Sequence, residues 1–289
     1  MRVVLVSKAC VHASYRQKAQ ELASLGVDLT LAVPPYWRDE RGLIPLEPGG
    51  AKHYRLEVLP LALNGHFHLY WYRGLGRLIR EMRPDIVHVE EEPYNLATAL
   101  AMASAVRSGG AAVFFTWQNL YRRYPLPFRL IELYCYSKAS YAIAGNRDAI
   151  SVLRRKGYRG PATVIPQFGI DFHQFTPRIA EPEAFTLGYV GRFVPQKGVD
   201  LLLRAVSTLD GTWRLELLGS GPEKARLEAL ARQLGINGRV SFLQAVPSAA
   251  VPDYMHRLSC LVLPSRSLPR WQEQFGGVLI EALGGGGPV

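Results

Sequence analysis

Two carboxylates, Glu273 and Glu281, stand eight residues apart around Phe275-Gly276-Gly277 in the closing stretch WQEQFGGVLIEALGGGGPV (271–289). A carboxylate pair raises the question of glycoside hydrolysis. Were the span one helix, eight residues would rise about 12 Å, beyond the roughly 5–9.5 Å of hydrolytic pairs. The spacing fits two separate contacts along one elongated ligand better. The amides of Phe275, Gly276 and Gly277 would meet an anion or sugar hydroxyls between them. The plain alternative is a helix-start glutamate complementing the helix dipole, followed by a surface glutamate.

A second stretch, GYVGRFVPQKGVD (188–200), carries Arg192 and Lys197 between a strand end and a helix start. Glycines let a backbone approach a phosphate, and a helix N-terminus offers free N–H groups with partial positive charge. Arg192 can grip phosphate oxygens with its planar fork, and Lys197 adds a point charge. The stretch is neither a Walker A loop nor a GxGxxG fingerprint, and a turn with two solvated basic residues explains it equally well. In LLGSGPEKARLEAL (217–230), Gly219 and Gly221 could line a nucleotide, although Pro222 at a helix start is also simply good capping.

These residues need strands and helices behind them. Apolar, β-rich runs alternate with helical patterns. Strands are expected at 2–7, 27–34, 54–60, 85–90, 111–117, 141–145 and 162–166, with helices near 15–26, 66–82, 94–108, 126–139 and 146–157. The segment 166–185, with prolines at 166, 177 and 182, breaks the pattern and reads as a connection. A second alternation follows, with strands at 185–192, 213–219, 240–246 and 260–265 and helices at 197–209, 222–234, 248–258 and 275–284. This order implies two doubly wound α/β domains, 1–176 and 177–289, with mostly parallel sheets. In such sheets ligands bind beyond the carboxyl ends of the strands.

Composition narrows the partners. The 289 residues carry a net charge of +10. Residues 1–176 hold 22 Lys+Arg against 14 Asp+Glu, and residues 177–289 hold 12 against 10. The first half therefore carries the positive field, which suits phosphorylated substrates, anionic lipid or nucleic acid. Nucleic acid ranks last, because no reading module is recognisable. Cys10, Cys135 and Cys260 are far apart and in no metal-ligand spacing, which argues against a disulfide framework or zinc site and fits a reducing cytoplasm. The longest apolar stretch, 96–106, falls short of the roughly 20 residues that span a bilayer.

In this order the stretches GRFVPQKGVDLLLRA, LLGSGPE, VSFLQAV, VPDYMHRLSCLVLPS and EQFGGVLIEAL resemble the C-terminal domain of glycosyltransferase family 4, retaining enzymes of the GT-B architecture. RPDIVHVEEEPYNLA, TWQNLYRRYPLPF and VIPQFGIDFHQF resemble its N-terminal domain more loosely. The resemblance implies two Rossmann-like domains facing a cleft, the first binding the acceptor and the second the nucleotide-sugar donor. Arg192 and Lys197 match the basic pair that holds the donor diphosphate. Glu273 matches the first glutamate of the E-x7-E motif, on the transferred sugar, and Glu281 the second, on the nucleotide ribose. Phe275, Gly276 and Gly277 would hold sugar hydroxyls and phosphate, Gly221 would line the nucleotide, and Ala245 and Val246 would flank the base. Glu273, Arg192 and Lys197 are thus the expected catalytic residues. The implied reaction moves a hexose from a UDP- or GDP-sugar to a glycan or lipid-linked acceptor, in polysaccharide or glycolipid assembly. The domains close, and a donor phosphate oxygen takes the acceptor proton. The chain lacks Asp-x-Asp, so no metal-bridged donor is expected, and no cofactor beyond the nucleotide sugar.

On the acceptor side the candidates are His12 and Tyr15, after the first strand, and Gln118 and Asn119, after 111–117. Some relatives carry a histidine in the latter loop, and this chain does not. The run Glu90-Glu91-Glu92 follows a strand and reads as a solvated face, with a functional role as its alternative. His88 reads as a core histidine. The stretch 66–85 mixes aromatics and arginines and reads as a packed helix, with an amphipathic membrane-surface helix as its alternative. The protein is expected in the cytoplasm, with peripheral contact to the inner face of the plasma membrane. The family's second domain normally runs past this motif, so the chain is expected to continue beyond Val289. Other readings are an inactive sugar-nucleotide-binding relic and a GT-B-fold sugar-nucleotide epimerase.

Overall fold

A computed structural model describes residues 1–39, 42–49, 53–171, 174–177, 184–244, 246 and 250–289. The chain forms two compact units, Met1–Gly169 and Ile170–Val289. They divide after Gly169, ahead of the boundary expected after Thr176.

Unit 1 is built in the order β1 (Arg2–Val6), α1 (Gln17–Ser24), β2 (Asp28–Val33), β3 (Tyr36–Asp39), β4 (Gly42–Pro45), β5 (Arg55–Val58), β6 (Leu61–Ala62), β7 (Trp71–Tyr72), α2 (Leu75–Met82), β8 (Ile86–Val89), α3 (Leu96–Arg107), β9 (Ala111–Thr116), α4 (Phe128–Lys138), β10 (Tyr141–Ala144), α5 (Arg147–Arg155) and β11 (Ala162–Val164). Among the described residues seven strands pair in parallel as β11-β10-β9-β8-β1-β2-β5, and β3/β4 and β6/β7 are antiparallel hairpins. The unbroken apolar run of β1 follows from burial on both faces. Val3 and Leu5 pack with Leu29, Leu31 and Ala19 on the α1 side. Val4 and Val6 pack with Ile79, Val87 and Met102 on the α2–α3 side.

The helix expected over 66–82 begins only at Leu75. Residues 66–74 form turns and β7. Helix α2 buries Leu75, Leu78 and Ile79 in the core, so its apolar face is not available to a membrane. The two short hairpins were not foreseen, because strands of two to four residues carry too little periodicity to read.

Unit 2 follows as β12 (Thr186–Val190), α6 (Val199–Val206), β13 (Arg214–Leu218), α7 (Lys224–Gln233), β14 (Val240–Leu243), α8 (Val251–His256), β15 (Cys260–Leu261) and α9 (Gly277–Gly284). Its described strands pair in parallel as β14-β13-β12-β15. Leu187, Tyr189, Leu215 and Leu217 pack against Leu202, Leu203, Leu227 and Leu230 from α6 and α7. The other face takes Tyr254, Met255, Leu258 and Ala282. Gly188 makes this contact flat, since a Cβ there would lie 2.1 Å from Leu258 Cδ1. The glycine run after α9 is a helix stop. Gly286 adopts φ 71°, its N–H reaches Leu283 O, and Gly287 N–H reaches Ala282 O, the Schellman arrangement.

Among the described residues no helix is long and apolar enough to cross a membrane.

Candidate functional site

In unit 2 the loops after β12, β13 and β15 meet backbone to backbone. Gly191 N–H donates to Leu218 O (3.0 Å) and Phe193 N–H to Ser220 O (2.8 Å). A Cβ on Gly219 would sit 1.9 Å from Gly191 O, and one on Gly221 would sit 2.3 Å from Phe193 O. The structure thus gives both glycines of the 217–230 stretch a packing role. Gly198, at φ 66°, turns the chain into α6 where a Cβ would strike Pro264 O at 2.0 Å. Arg266 locks the same junction. It donates to Pro195 O (2.8 Å) and Asp200 Oδ2 (2.7 Å), and its own N–H donates to Gln196 O (2.8 Å). Burial raises the Asp200 pKa, and the Arg266 hydrogen bond and charge outweigh it, so the net shift is downward.

This junction brings Lys197 and Glu273 together across 76 positions. Lys197 Nζ donates to Glu273 Oε2 at 2.5 Å, and Ser265 Oγ donates to the same oxygen at 2.8 Å. The ammonium also lies 5.4 Å from the Trp271 ring centroid. An ammonium has three donors, and Glu273 takes one. Both side chains remain partly open, at 21% and 30% exposure. Glu273 stands in a loop, as expected. Gly276, at φ 66°, turns that loop into α9, whose first residue is Gly277, and Phe275 is half-buried beside it. The first residue of α9 thus follows Glu273 by four positions in the chain, and the first N–H groups of that helix have no partner within it. Glu281 is the fifth residue of α9, half-buried, and burial raises its pKa. Because Glu273 lies outside the helix, the straight-helix separation does not apply to the pair.

Arg192 is exposed just beyond β12, and its carbonyl accepts the Tyr189 hydroxyl at 2.8 Å. Val246 is exposed after β14, whereas Ala245 lies outside the described residues. Sequence reasoning missed Ser265, Arg266, Asp200 and Trp271. A Ser-Arg pair at the end of the strand expected over 260–265, four residues beyond the observed end of β15, was the available signal.

In unit 1 the carboxyl ends of β1, β8 and β9 hold a polar network that sequence reading placed in solvent. Glu90 and Glu91 are buried, at 5% and 2% exposure. Glu91 accepts from the Lys8 ammonium and from the hydroxyls of Tyr70 and Tyr72. Glu90 pairs with Lys18 and accepts from Gln167 Nε2. Glu92 accepts from Thr116 Oγ1 (2.5 Å) and Trp117 N–H (2.8 Å). Burial pushes the Glu92 pKa up to about 6, with the two hydrogen bonds opposing. The solvated-face reading of Glu90-Glu91-Glu92 fails because this run caps a central strand, where β1 and β9 enclose it. His88, within β8, conforms to the core reading. Burial lowers its pKa to about 4, and its Nε2 is buried with no hydrogen-bond partner among the described residues.

Gln118 is buried at the end of this network. Its Oε1 accepts from Lys156 Nζ at 2.9 Å, and Lys156 Nζ also donates to Glu132 Oε1 at 2.5 Å. With the amide oxygen so held, Nε2 is left as a buried donor with no partner among the described residues. Asn119 is half-buried beside it in the chain. Gly145 makes room for the neighbouring Trp117, since a Cβ there would lie 2.0 Å from Trp117 Cε3. Trp117 Nε1 donates to Gln167 Oε1 at 2.7 Å. His12 and Tyr15 also come together, their rings 5.5 Å apart, and Tyr15 stacks on Phe168 at 3.9 Å. His12 Nδ1 lies 3.0 Å from Glu47 Oε1. The Ala13 N–H, then the His12 contact, lower the Glu47 pKa.

Two parallel α/β units, each with polar side chains gathered at strand carboxyl ends, define a class of ligand-binding proteins. Comparison with known proteins specifies it. Residues 11–167 match the model of the glycosyl transferase 4-like domain, and residues 172–289 match that of glycosyl transferases group 1. The chain belongs to the family 4 glycosyltransferases of GT-B fold. A D-inositol 3-phosphate glycosyltransferase of Catenulispora acidiphila is 36% identical over 149 residues, covering 44% of this chain and 33% of that protein. A lipopolysaccharide core biosynthesis glycosyltransferase of Rhizobium meliloti is 35% identical over 160 residues, 53% of this chain and 44% of that one. The matched segments thus span about a quarter to under half of the curated relatives. Among solved structures, a lipopolysaccharide outer core galactosyltransferase aligns with TM-score 0.69 at 18% identity, covering all of this chain and 79% of that one. Sucrose-phosphate synthase from Thermosynechococcus elongatus aligns at 0.70 and 18%, covering all of this chain and 80% of that one. An Anabaena protein solved with UDP and glucose aligns at 0.67 and 16%, with the same coverage.

Proposed function

We propose that this protein transfers a hexose from a UDP- or GDP-sugar to a glycan or lipid-linked acceptor, with retention of anomeric configuration. The observation that carries the reading is the Lys197–Glu273–Ser265 cluster at the carboxyl ends of β12 and β15, beside the N-terminus of α9. Lys197, joined by Arg192, stabilises the leaving diphosphate. Glu273 contacts the transferred sugar, and its carboxylate stabilises positive charge developing at the anomeric carbon. The amides of Phe275, Gly276 and Gly277 take sugar hydroxyls and phosphate. Glu281 takes the ribose, and the 245–246 segment with Gly221 flanks the nucleotide. The anomeric carbon–phosphate oxygen bond breaks, the acceptor oxygen bonds to that carbon on the same face, and its proton passes to a donor phosphate oxygen. Neither a protein nucleophile nor a metal enters this scheme.

Unit 1 takes the acceptor in the same reading. Gln118 Nε2, the buried donor left open by Lys156, meets an acceptor or donor oxygen, with Asn119, His12 and Tyr15 as further contacts. Relatives named for D-inositol 3-phosphate and for lipopolysaccharide core biosynthesis support a polyhydroxylated or lipid-linked acceptor. Cytoplasmic polysaccharide or glycolipid assembly at the inner membrane face belongs to the same proposal.

The test is calorimetric titration with UDP and GDP, followed by turnover of a nucleotide-sugar panel. Lys197→Ala and Arg192→Ala should each weaken nucleotide-diphosphate binding about tenfold or more, as loss of a charge-assisted hydrogen bond implies. Glu273→Gln should depress turnover far more than nucleotide affinity. Unchanged affinity in the first two variants would remove the diphosphate assignment, and normal turnover in the third would remove Glu273 from the chemistry.

A further inference from the structure

Gln118 and Gln167 are both buried beyond the strand ends of unit 1, and they are used differently. Gln167 is satisfied at both ends of its amide. Its Oε1 accepts from Trp117 Nε1 (2.7 Å), and its Nε2 donates to Glu90 Oε2 (3.3 Å). Gln118 is held at one end only. Its Oε1 accepts from Lys156 Nζ (2.9 Å), while its Nε2 is buried and meets no hydrogen-bond partner among the described residues. A buried amide nitrogen without an acceptor costs the fold stability, so its presence calls for a reason.

The orientation of this amide is forced. An ammonium offers donors and no acceptor. Lys156 Nζ gives one donor to Glu132 Oε1 (2.5 Å) and one to Gln118 Oε1, and it lies 4.6 Å from the Tyr124 ring centroid. A flipped Gln118 would set its NH2 group against the ammonium, donor against donor. The main chain is fixed as well. Gln118 N–H donates to Thr116 Oγ1 (3.1 Å), and that hydroxyl and Trp117 N–H donate to the two oxygens of Glu92 (2.5 and 2.8 Å). Behind the amide the charges alternate. Arg129 Nη1 donates to Glu132 Oε2 (2.5 Å), Glu132 holds Lys156, and Lys156 holds the amide oxygen. The Glu132 and Lys156 side chains are 0% and 3% exposed, so water screens this row little. Hydrogen bonds in such a row polarise one another, and an ammonium on the amide oxygen makes Nε2–H a stronger donor.

We infer that Lys156 is a positioning residue for the transfer reaction: through the amide oxygen of Gln118 it fixes and polarises the Nε2–H donor toward a lone-pair oxygen of the bound sugar substrate. The site takes a hydroxyl, ether or phosphate oxygen there and rejects a hydrogen-bond donor. Glu132 holds Lys156 in place. Stability alone does not require this pair, since apolar residues of similar volume often replace a buried ion pair without loss. The inference rests on the proposed transfer reading, in which Gln118 meets a substrate oxygen.

The test compares Gln118→Met, Glu132→Leu/Lys156→Met and the triple variant, using kcat/KM for the nucleotide sugar that wild type turns over best. Gln118→Met should lower kcat/KM about tenfold, as loss of one hydrogen bond from a polarised donor implies. Glu132→Leu/Lys156→Met removes both charges, so it should lose about as much activity while recovering most of the thermal midpoint that either single change costs. The triple variant should lose no more than either, because both changes delete the same contact. Full kcat/KM in the double variant, or losses that multiply in the triple, overturns the positioning role and leaves the transfer reading standing. Orientation is read without turnover from the Gln118 side-chain NH2 cross-peaks of the 15N-labelled chain, assigned by their absence in Gln118→Met. These peaks should move in Glu132→Leu/Lys156→Met, and their protons should exchange with solvent faster. Unmoved peaks overturn the inference whether or not the protein is active. A wild type that turns over no nucleotide sugar removes the transfer reading, and the substrate contact of Gln118 with it.

Discussion

At the residue scale, the unit 1 carboxylates show how position rewrites chemistry. Glu90, Glu91 and Glu92 are identical in type and adjacent in sequence, yet each meets different donors. Glu92 has its pKa raised by burial to about 6, against an ordinary 4.5. A carboxyl whose folded pKa is raised favours the protonated form in the native state. It contributes stability below the unfolded pKa that is lost as pH rises through the folded pKa. The window is therefore about pH 4.5 to 6, and the full difference is on the order of 2 kcal/mol. His88 works with the opposite sign, because its folded pKa near 4 lies below the ordinary 6.5 and its contribution grows as pH rises between them. The Glu92 part is isolated by comparing Glu92→Gln with wild type. Denaturant titrations from pH 4 to 7 should show the variant gaining relative to wild type as pH rises. Parallel pH profiles would remove Glu92 as a titrating group.

At the element scale, two couplings hold the candidate sites, one ionic and one steric. The α4–α5 coupling is the buried Glu132–Lys156 pair, at 0% and 3% side-chain exposure. Removing one partner leaves a buried charge, which costs about 3–5 kcal/mol, while replacing both can be nearly neutral. Glu132→Leu and Lys156→Met should each destabilise strongly, and the double variant should recover much of the loss in a double-mutant cycle. Additive losses would mean that the two charges are solvated independently. The α6 entry depends on Gly198, where positive φ and the Pro264 carbonyl exclude a Cβ. Gly198→Ala should lower unit 2 stability by at least about 1 kcal/mol. An unchanged melting profile would mean that the loops carrying Lys197 and Ser265 are not tightly apposed.

At the scale of the whole molecule, the nucleotide part of the proposed donor site lies on unit 2 residues. A ligand that binds only the folded form stabilises it by about 2.7 kcal/mol at a hundredfold excess over its dissociation constant. Saturating UDP or GDP should therefore raise the melting midpoint of the transition that reports unit 2, and Lys197→Ala should blunt the rise. A nucleotide that shifts nothing at millimolar concentration would count against donor binding.

The alternation of strands and helices, the loop position of Glu273 and the helical position of Glu281 were legible in the residues. They depend on local period, glycine placement and capping, which act over a few neighbours. The same holds for the family resemblance, carried by short contiguous motifs. The short β3/β4 and β6/β7 hairpins were not legible, nor was the start of α2 at Leu75, because turns and two-residue strands leave no periodic trace. Burial of Glu90 and Glu91, and the half-burial of Glu92, were decided by tertiary structure alone. A run of three glutamates looks solvated until two neighbouring strands and the ammonium groups of Lys8 and Lys18 close on it. Tertiary structure also decided that Lys197 meets Glu273 and that Gln118 presents its amide N–H. Each follows from contacts between residues tens of positions apart, which only the packing of whole elements can bring within hydrogen-bond range.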